Sequence, residues 1–291
     1  MMLLAQLIKV GVGMLSDLYP DQEAREIVYV CLEHHLGTKR HTHIIEPQYE
    51  VVEDDVSRVM ATFQRLASGE PLQYVTGNAC FYGRTFHVTS DTLIPRPETE
   101  LLCRMAVEST SKKHPRVLDL CTGSGCIAWT LALELPESEV CAVDVSEGAL
   151  SVASAQDFSD EMSCTSAVAP TFIKADILAP ELPESISSNK YDIILSNPPY
   201  VMDSEKALMR NNVLDHEPHL ALFVPDSDPL MFYRAVAGWA ALLLAADGVG
   251  FVEINEALGE ETAQVFRQCG FSAFVVKDLY DKDRFVRFSW K

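Results

Sequence analysis

A polar amide followed by two prolines and an aromatic residue ends one of the apolar stretches of the chain. The stretch Tyr191–Tyr200 reads YDIILSNPPY, and its first residues are typical of a buried strand. The side-chain oxygen of Asn197 and the carbonyl oxygen of Pro198 can accept hydrogen bonds, and the two prolines fix φ and so hold these acceptors in place. Tyr200 offers a flat aromatic face. These residue types suit a site that orients a planar N–H-bearing group.

A second candidate site is a glycine-bearing turn between a strand and a helix. It occurs in VLDLCTGSGCIAWTLA, where Gly123 and Gly125 would let the backbone approach a ligand closely. Asp144 follows Gly125 by 19 residues and ends the next candidate strand, where a carboxylate can accept hydrogen bonds from ribose hydroxyls. Asp176 ends the third candidate strand, within reach of an adenine amino group. Together these residues predict a nucleoside-containing ligand.

The loop differs from two common nucleotide-binding loops. No Gly-Lys-Ser/Thr follows it, so it is not a P-loop. Ala128 occupies the third glycine position of the dinucleotide fingerprint, and Cys121 precedes Gly123. An adenosine cofactor other than a dinucleotide is therefore favoured.

The elements that would position these residues alternate between strand and helix from Pro115 onward. Seven candidate strands read RVLDLC, EVCAVDV, TFIKAD, YDIILSN, GVGFVEIN, SAFVVKDL and DRFVRFSW. Such alternation predicts an α/β fold with a mostly parallel sheet covered on both faces. The connection before the last strand is too short for a parallel crossover, so we predict that this strand is antiparallel. Because ligands bind at the carboxyl ends of parallel strands, Asn197 and the glycine loop should share one crevice.

Two further regions precede the sheet. Residues 1–75 have helical periodicity and no candidate strand, which predicts a small helical domain, and its first segment reads as an amphipathic helix rather than a signal peptide. Residues 76–96 are rich in aromatic and β-branched residues around Gly83, which predicts a β-hairpin linker. Residues 97–291 are then expected to form the domain that contains the sheet, starting with a helix whose first turn carries Glu98 and Glu100.

Composition narrows the possible partners. The chain has 291 residues, 48% of them hydrophobic, with 23 Lys and Arg against 42 Asp and Glu, for a net charge of −19. An acidic surface repels phosphate backbones, so stable nucleic-acid binding is not expected. The eight cysteines include no C-x-x-C pair, which favours a reduced, cytoplasmic protein, and no apolar run is long enough to predict a membrane span.

The segments DLCTGSG and SNPPY, with Asp144 between them, resemble class I S-adenosylmethionine-dependent methyltransferases, which have a Rossmann-like fold. More specifically, GEPLQYVTGNACFYGRTFHVTSDTLIPRPETELL, EPHLAL and KDLYDKDRFVRF resemble the HemK/PrmC family. Members of this family methylate the side-chain nitrogen N5 of the glutamine in the Gly-Gly-Gln motif of peptide chain release factors. The resemblance implies S-adenosylmethionine as cofactor, S-adenosylhomocysteine as product, no metal, class 1 release factors as partners, and substrate docking by the helical domain.

The resemblance also implies roles for individual residues. The expected cofactor contacts are Cys121, Thr122, Gly123, Ser124, Gly125, Asp144 at the ribose, Asp176 and Ile177 at the adenine, and Asn197. The expected catalytic residues are Asn197, Pro198 and Tyr200, and the target glutamine would be held by Asn197, Pro198, Pro199 and Tyr200. Two departures are visible: Cys121 replaces the first glycine of many such loops, and the segment SDEMSCTSAVAP is longer than the family connection.

The proposed chemistry explains why an amide is needed at the strand end. The lone pair of a glutamine amide nitrogen is delocalised and therefore weakly nucleophilic. Acceptors at Asn197 and Pro198 would orient that nitrogen toward the methyl group and favour positive charge developing on it.

Several alternatives remain open at this stage. A nucleic-acid methyltransferase acting on adenine N6 or guanine N2 also uses Asn- or Asp-Pro-Pro-aromatic motifs, and a binding module that has lost catalysis could keep the fold. Glu98 and Glu100 either contact the cofactor, or the substrate entrance, or have no role beyond starting a helix. Glu217 either orders the loop after the Asn-Pro-Pro-Tyr segment or caps a turn. The histidine-rich stretch HHLGTKRHTH reads as a solvated loop rather than a metal site.

Overall fold

The computed structural model describes all residues, 1–291, and divides into two compact units. The first unit consists of Met1–Asn78 together with Arg210–His216, and the second of Ala79–Met209 and Glu217–Lys291. Nothing in the sequence pattern indicated that Arg210–His216 belongs with the amino-terminal unit.

The first unit is mainly helical. Its elements are β1 (Met2–Leu3), α1 (Leu4–Leu15), α2 (Asp21–Leu36), α3 (Thr42–Ile45), β2 (Glu50–Val51), α4 (Glu53–Ala67) and α5 (Leu72–Thr76). Helix α4 begins with three acidic residues, which interact favourably with the positive end of the helix dipole. It buries Val59, Phe63 and Leu66 against α1 and α2, and this shared apolar face forms the core of the unit. The helical character predicted for this region and the amphipathic first helix are confirmed. The expectation that the region holds no strand is wrong, because β1 and β2 pair as a short antiparallel ladder.

The second unit contains the large sheet. Its elements, with α11 of the first unit included in chain order, are β3 (Asn78–Phe81), β4 (Arg84–His87), α6 (Pro97–Glu108), β5 (Arg116–Leu120), α7 (Cys126–Glu134), β6 (Glu139–Asp144), α8 (Glu147–Ser154), α9 (Ser159–Ser163), β7 (Thr171–Lys174), α10 (Glu184–Ser187), β8 (Tyr191–Ser196), β9 (Val201–Met202), α11 (Asn211–His216), β10 (Phe223–Val224), α12 (Met231–Leu243), β11 (Leu244–Glu253), α13 (Gly259–Gln268), β12 (Phe271–Lys277) and β13 (Asp283–Trp290). Three short 3-10 helices span Asp203–Leu208, His219–Ala221 and Glu256–Leu258.

The seven-stranded sheet has the order β12-β13-β11-β8-β5-β6-β7. Strands β11, β8, β5, β6 and β7 are parallel, and β13 runs antiparallel to both β11 and β12. The mostly parallel α/β sheet with an antiparallel last strand is therefore confirmed. Helices cover both faces, and so strands such as β8 are buried on both sides, with Ile193 and Ile194 fully inaccessible.

The register of the sheet places four consecutive strand ends at one level. Ser196 of β8 pairs with Leu120 of β5 and with Val252 of β11, and Leu120 also pairs with Val143 of β6. The next residue on each strand is therefore in the same row, and these residues are Asp144, Cys121, Asn197 and Glu253. This row forms the carboxyl edge at which open α/β sheets bind their ligands.

All eight cysteines are free. None of the helices combines the length and the apolar character needed to span a bilayer.

Candidate functional site

A well-formed cavity of the second unit opens at the carboxyl edge of the sheet. Nine of the residues singled out from the sequence line it: Cys121, Thr122, Gly123, Ser124, Asp144, Asp176, Ile177, Asn197 and Pro199. The other three, Gly125, Pro198 and Tyr200, are sequence neighbours of lining residues but do not line the cavity themselves. The glycine loop and the Asn-Pro-Pro-Tyr segment, 72 positions apart at their nearest ends, thus meet at one site.

The glycine loop needs an unusual backbone conformation at three positions. Gly123 and Gly125 have φ values of 55° and 80°, and Cys121 has a φ of 63° although it carries a side chain. The cysteine that replaces the first glycine of many such loops therefore keeps the left-handed conformation. A Cβ on Gly125 would also lie 3.0 Å from the Cβ of Ala153 in α8, so glycine is required there for packing as well as for φ.

Asp144 connects the end of β6 to the glycine loop. Its Oδ2 accepts a hydrogen bond of 2.8 Å from the backbone N–H of Gly123, and its Oδ1 accepts one of 2.9 Å from the N–H of Ser146. Burial raises the pKa of Asp144, whereas these backbone donors act in the opposite direction. The carboxylate thereby fixes the loop to the end of β6 and lies at the cavity wall.

Asp119 is a buried acid that the sequence reasoning did not single out. It is fully inaccessible within β5, and its Oδ2 accepts a hydrogen bond of 2.6 Å from the hydroxyl of Thr122 in the loop. Burial, with a smaller contribution from the charge of Asp144, raises the pKa of Asp119 to about 7. A signal was available, because an aspartate inside the apolar strand VLDLC must find a polar partner.

Asn197 takes part in a hydrogen-bond network that runs from the cavity wall, where Thr99 also lies, to the buried Glu253. Its Nδ2 donates to Oγ1 of Thr99 at 3.2 Å, and Thr99 Oγ1 donates to Oε2 of Glu253 at 2.7 Å. The other carboxylate oxygen of Glu253 accepts a hydrogen bond of 3.1 Å from the hydroxyl of Tyr200. No sequence motif indicates a role for Thr99 or Glu253, although Glu253 ends a candidate strand just as Asp144 does.

Tyr200 is anchored at both its side chain and its main chain. Burial, with the nearby charge of Glu253, raises the pKa of Tyr200 far above its ordinary value, so its hydroxyl remains a donor to Glu253. Its carbonyl oxygen accepts a hydrogen bond of 3.2 Å from Nδ2 of Asn255, which also donates to Glu205. The end of the Asn-Pro-Pro-Tyr segment is therefore fixed to β11 and to the residues that follow it.

Glu217 and Glu100, whose roles the sequence leaves undecided, make specific contacts. The buried carboxylate of Glu217 accepts a hydrogen bond of 2.7 Å from the guanidinium of Arg96 and one of 3.3 Å from the N–H of Ile94. It thus connects the segment after the Asn-Pro-Pro-Tyr motif to the segment that leads into α6. Glu100 accepts a hydrogen bond of 2.9 Å from the N–H of Tyr82, so it connects α6 to the turn of the β3–β4 hairpin.

No group of three or more His, Cys, Asp or Glu side chains is arranged to hold a metal ion. The polar groups around the cavity include the carboxylates of Asp144 and Asp176, several Ser and Thr hydroxyls, the guanidinium of Arg96 and the Asn197 amide, beside the apolar side chain of Ile177. This donor set fits an adenosine-containing cofactor, whose ribose needs acceptors and whose base needs an apolar wall.

Two family profiles match the chain. The "PrmC N-terminal domain" matches residues 6–77, and the "Methyltransferase small domain" matches residues 97–220.

Two relatives that match most of the chain share one name. A protein of Flavobacterium psychrophilum called "Release factor glutamine methyltransferase" is 36% identical over 95% of both chains. A protein of Bacteroides thetaiotaomicron with the same name is 43% identical over 76% of this chain and 77% of its own. Among solved structures, the hMettl16 catalytic domain in complex with a 3′UTR hairpin covers 82% of each chain with a TM-score of 0.53 at 14% identity, which is a likeness of fold.

Proposed function

The chain belongs to the release factor glutamine methyltransferase family, and on this premise we propose that it methylates N5 of the glutamine in the Gly-Gly-Gln motif of class 1 peptide chain release factors. The methyl donor is S-adenosylmethionine: its S–CH₃ bond breaks as the N–CH₃ bond forms, and S-adenosylhomocysteine and one proton from the amide nitrogen are released. One observation carries the proposal for the site: the row of strand ends brings Asn197 into the same cavity as the glycine loop and Asp144.

The residues of the loop supply the cofactor site in this proposal. Cys121 to Gly125 form the backbone cradle, Asp144 accepts hydrogen bonds from the ribose hydroxyls, and Asp176 and Ile177 flank the adenine. S-adenosylmethionine supplies an electrophilic methyl group on a sulfonium when it is bound. No metal ion takes part in the site as we propose it.

The Asn-Pro-Pro-Tyr segment positions the substrate. Oδ1 of Asn197 and the carbonyl oxygen of Pro198 accept hydrogen bonds from the target amide N–H groups, so that the nitrogen lone pair is directed at the methyl group. These acceptors interact more strongly as positive charge develops on nitrogen, which lowers the barrier rather than merely tightening binding. Pro199 and the anchored Tyr200 keep the segment in this conformation.

We also propose that residues 1–75 recognise the release factor, that 76–96 connect them to the catalytic domain, and that 97–291 carry the chemistry. Support comes from the helical unit, which holds no residue of the cavity. A shortened protein lacking residues 1–75 should still bind S-adenosylmethionine, measured by calorimetry, but methylate the intact release factor poorly. Unchanged turnover of the intact factor by that protein would contradict this division of roles.

The nucleic-acid alternative is not favoured, since three relatives that match most of the chain are named for release factor glutamine methylation. The net charge of −19 also opposes binding to a phosphate backbone. The decisive experiment incubates the protein with S-adenosylmethionine and either a release factor, a DNA duplex or an RNA hairpin. Mass spectrometry should find one added methyl group on the glutamine of the Gly-Gly-Gln peptide; methylated nucleotides with an unmodified glutamine would refute the proposal.

A further inference from the structure

We propose that Thr99 and Glu253 are positioning residues, which fix the amide of Asn197 so that its oxygen, and not its nitrogen, faces the substrate. This inference rests on the proposed role of Asn197 in holding the target amide. Thr99 lies in the first turn of α6 and Glu253 at the end of β11, so two separate elements of the second unit act on one side chain.

The argument begins with the single proton of the Thr99 hydroxyl. A hydroxyl can donate only one hydrogen bond but can accept others. At 2.7 Å from Oε2 of Glu253, Thr99 Oγ1 donates that proton to the carboxylate. Toward Asn197, 3.2 Å away, the same oxygen can therefore only accept, and the group of Asn197 that faces it must be the NH₂.

The reversed orientation of the Asn197 amide is unfavourable. It would place two oxygen acceptors next to each other with no proton between them, in a region from which water is largely excluded. Thr99 is 2% exposed and Glu253 is 1% exposed. An unsatisfied buried acceptor is costly, so the amide is held in one orientation.

Glu253 has the hydrogen-bond pattern of a carboxylate rather than of a carboxylic acid. Both of its oxygens accept, one from Thr99 and the other from Tyr200. Although burial raises the pKa of Glu253, these two donors and the nearby guanidinium of Arg284 favour the charged form, while Glu98 opposes it. Glu253 thus holds both the first and the last residue of the Asn-Pro-Pro-Tyr segment, directly through Tyr200 and indirectly through Thr99.

The catalytic consequence concerns the polarity of the site. With Nδ2 engaged by Thr99, Oδ1 of Asn197 is the end of the amide that remains for the cavity. The target glutamine presents N–H donors, so it needs an acceptor there. A freely rotating Asn197 amide would spend part of its time presenting NH₂ against NH₂, a repulsive arrangement that cannot orient the nucleophile.

The test uses Thr99→Val, which keeps the shape of the side chain but removes the hydroxyl. We expect kcat for the release factor to fall about 10-fold or more, as is typical when a preorganised polar group loses its orientation. The affinity for S-adenosylmethionine should remain within about threefold of wild type because the hydroxyl acts on Asn197. Thr99→Ser retains the hydroxyl and should recover most of the rate.

A double-mutant cycle separates positioning from a structural effect. If Thr99 acts through Asn197, adding Thr99→Val to Asn197→Ala should not lower kcat any further. A second loss of similar size in that background, a wild-type rate for Thr99→Val alone, or weakened cofactor binding at unchanged kcat would each overturn the inference. A wild-type rate for Asn197→Ala alone would instead refute the proposed role of Asn197 itself.

Discussion

The carboxylate of Asp144 accepts a 2.8 Å hydrogen bond from the backbone N–H of Gly123, and this bond joins the end of β6 to the loop that follows β5. The two residues are 21 positions apart in the chain, and a second bond from Ser146 holds the other oxygen of the same carboxylate. Asp144 therefore shapes the loop in addition to its proposed contact with the ribose, and its removal should affect both.

Asp144→Ala is expected to weaken the binding of S-adenosylmethionine. The variant leaves loop N–H groups and ribose hydroxyls without an acceptor, which should cost about 1–3 kcal/mol of binding free energy. Calorimetric titration measures the effect, and a urea unfolding curve verifies that the variant is folded. An unchanged dissociation constant would show that Asp144 does not contribute to the cofactor site.

Asn197→Ala should reduce turnover far more than ground-state binding. Its hydrogen bond strengthens as the target nitrogen loses conjugation, so kcat is expected to fall by about 10²–10³. Asn197→Asp is the matched variant: it keeps an acceptor oxygen next to developing positive charge, so partial activity is expected. Mass spectrometry of the Gly-Gly-Gln peptide follows both, and equal rates for wild type and Asn197→Ala would mean that the segment is only a turn.

Gly125→Ala tests the packing of the glycine loop. The new Cβ would require a φ of 80° and would lie 3.0 Å from Ala153, so we expect a loss of about 1–3 kcal/mol in stability together with weaker cofactor binding. Gly13→Ala is a suitable control, because Gly13 lies within α1 and has no atom within 4 Å of an added Cβ. The free energy of unfolding of that variant should rise by up to about 1 kcal/mol. Equal effects of the two substitutions on stability would contradict this account.

Asp119 should make stability depend on pH. Its pKa is about 7 in the folded protein, because of burial, against an ordinary value of 3.8. Between these pH values the folded chain holds a proton that the unfolded chain has lost, so this group lowers the free energy of unfolding as the pH rises from 4 to 7.

Asp119→Asn removes this dependence. Compared with wild type, the variant should become relatively more stable with increasing pH, by up to about 4 kcal/mol across that window. Comparing the two proteins at both pH values cancels other effects of the substitution. Urea titrations at about pH 4.5 and 7.5 measure the difference, and a constant difference between the two proteins would rule the assignment out.

Much of the fold could be predicted from the sequence because local residue patterns encode it. Continuous apolar runs such as YDIILS predicted buried parallel strands, and the short connection before β13 predicted an antiparallel last strand. The glycines at 123 and 125 identified a loop with positive φ, and the Asn-Pro-Pro-Tyr segment identified a set of fixed acceptors. Each of these signals depends on residues that are close together in the chain.

Two features of the site were decided only by the tertiary structure: the register between strands and the burial of individual side chains. Ser196 pairs with Leu120 and with Val252, and this register places Glu253 beside Asn197, although the two are 56 positions apart in the chain. Helix α6 brings Thr99 between them. No local pattern reports such a juxtaposition, since it arises only when the sheet is assembled. Likewise, the apolar strand around Asp119 indicates only that this acid needs a polar partner, and its altered pKa exists because folding removes water from around it.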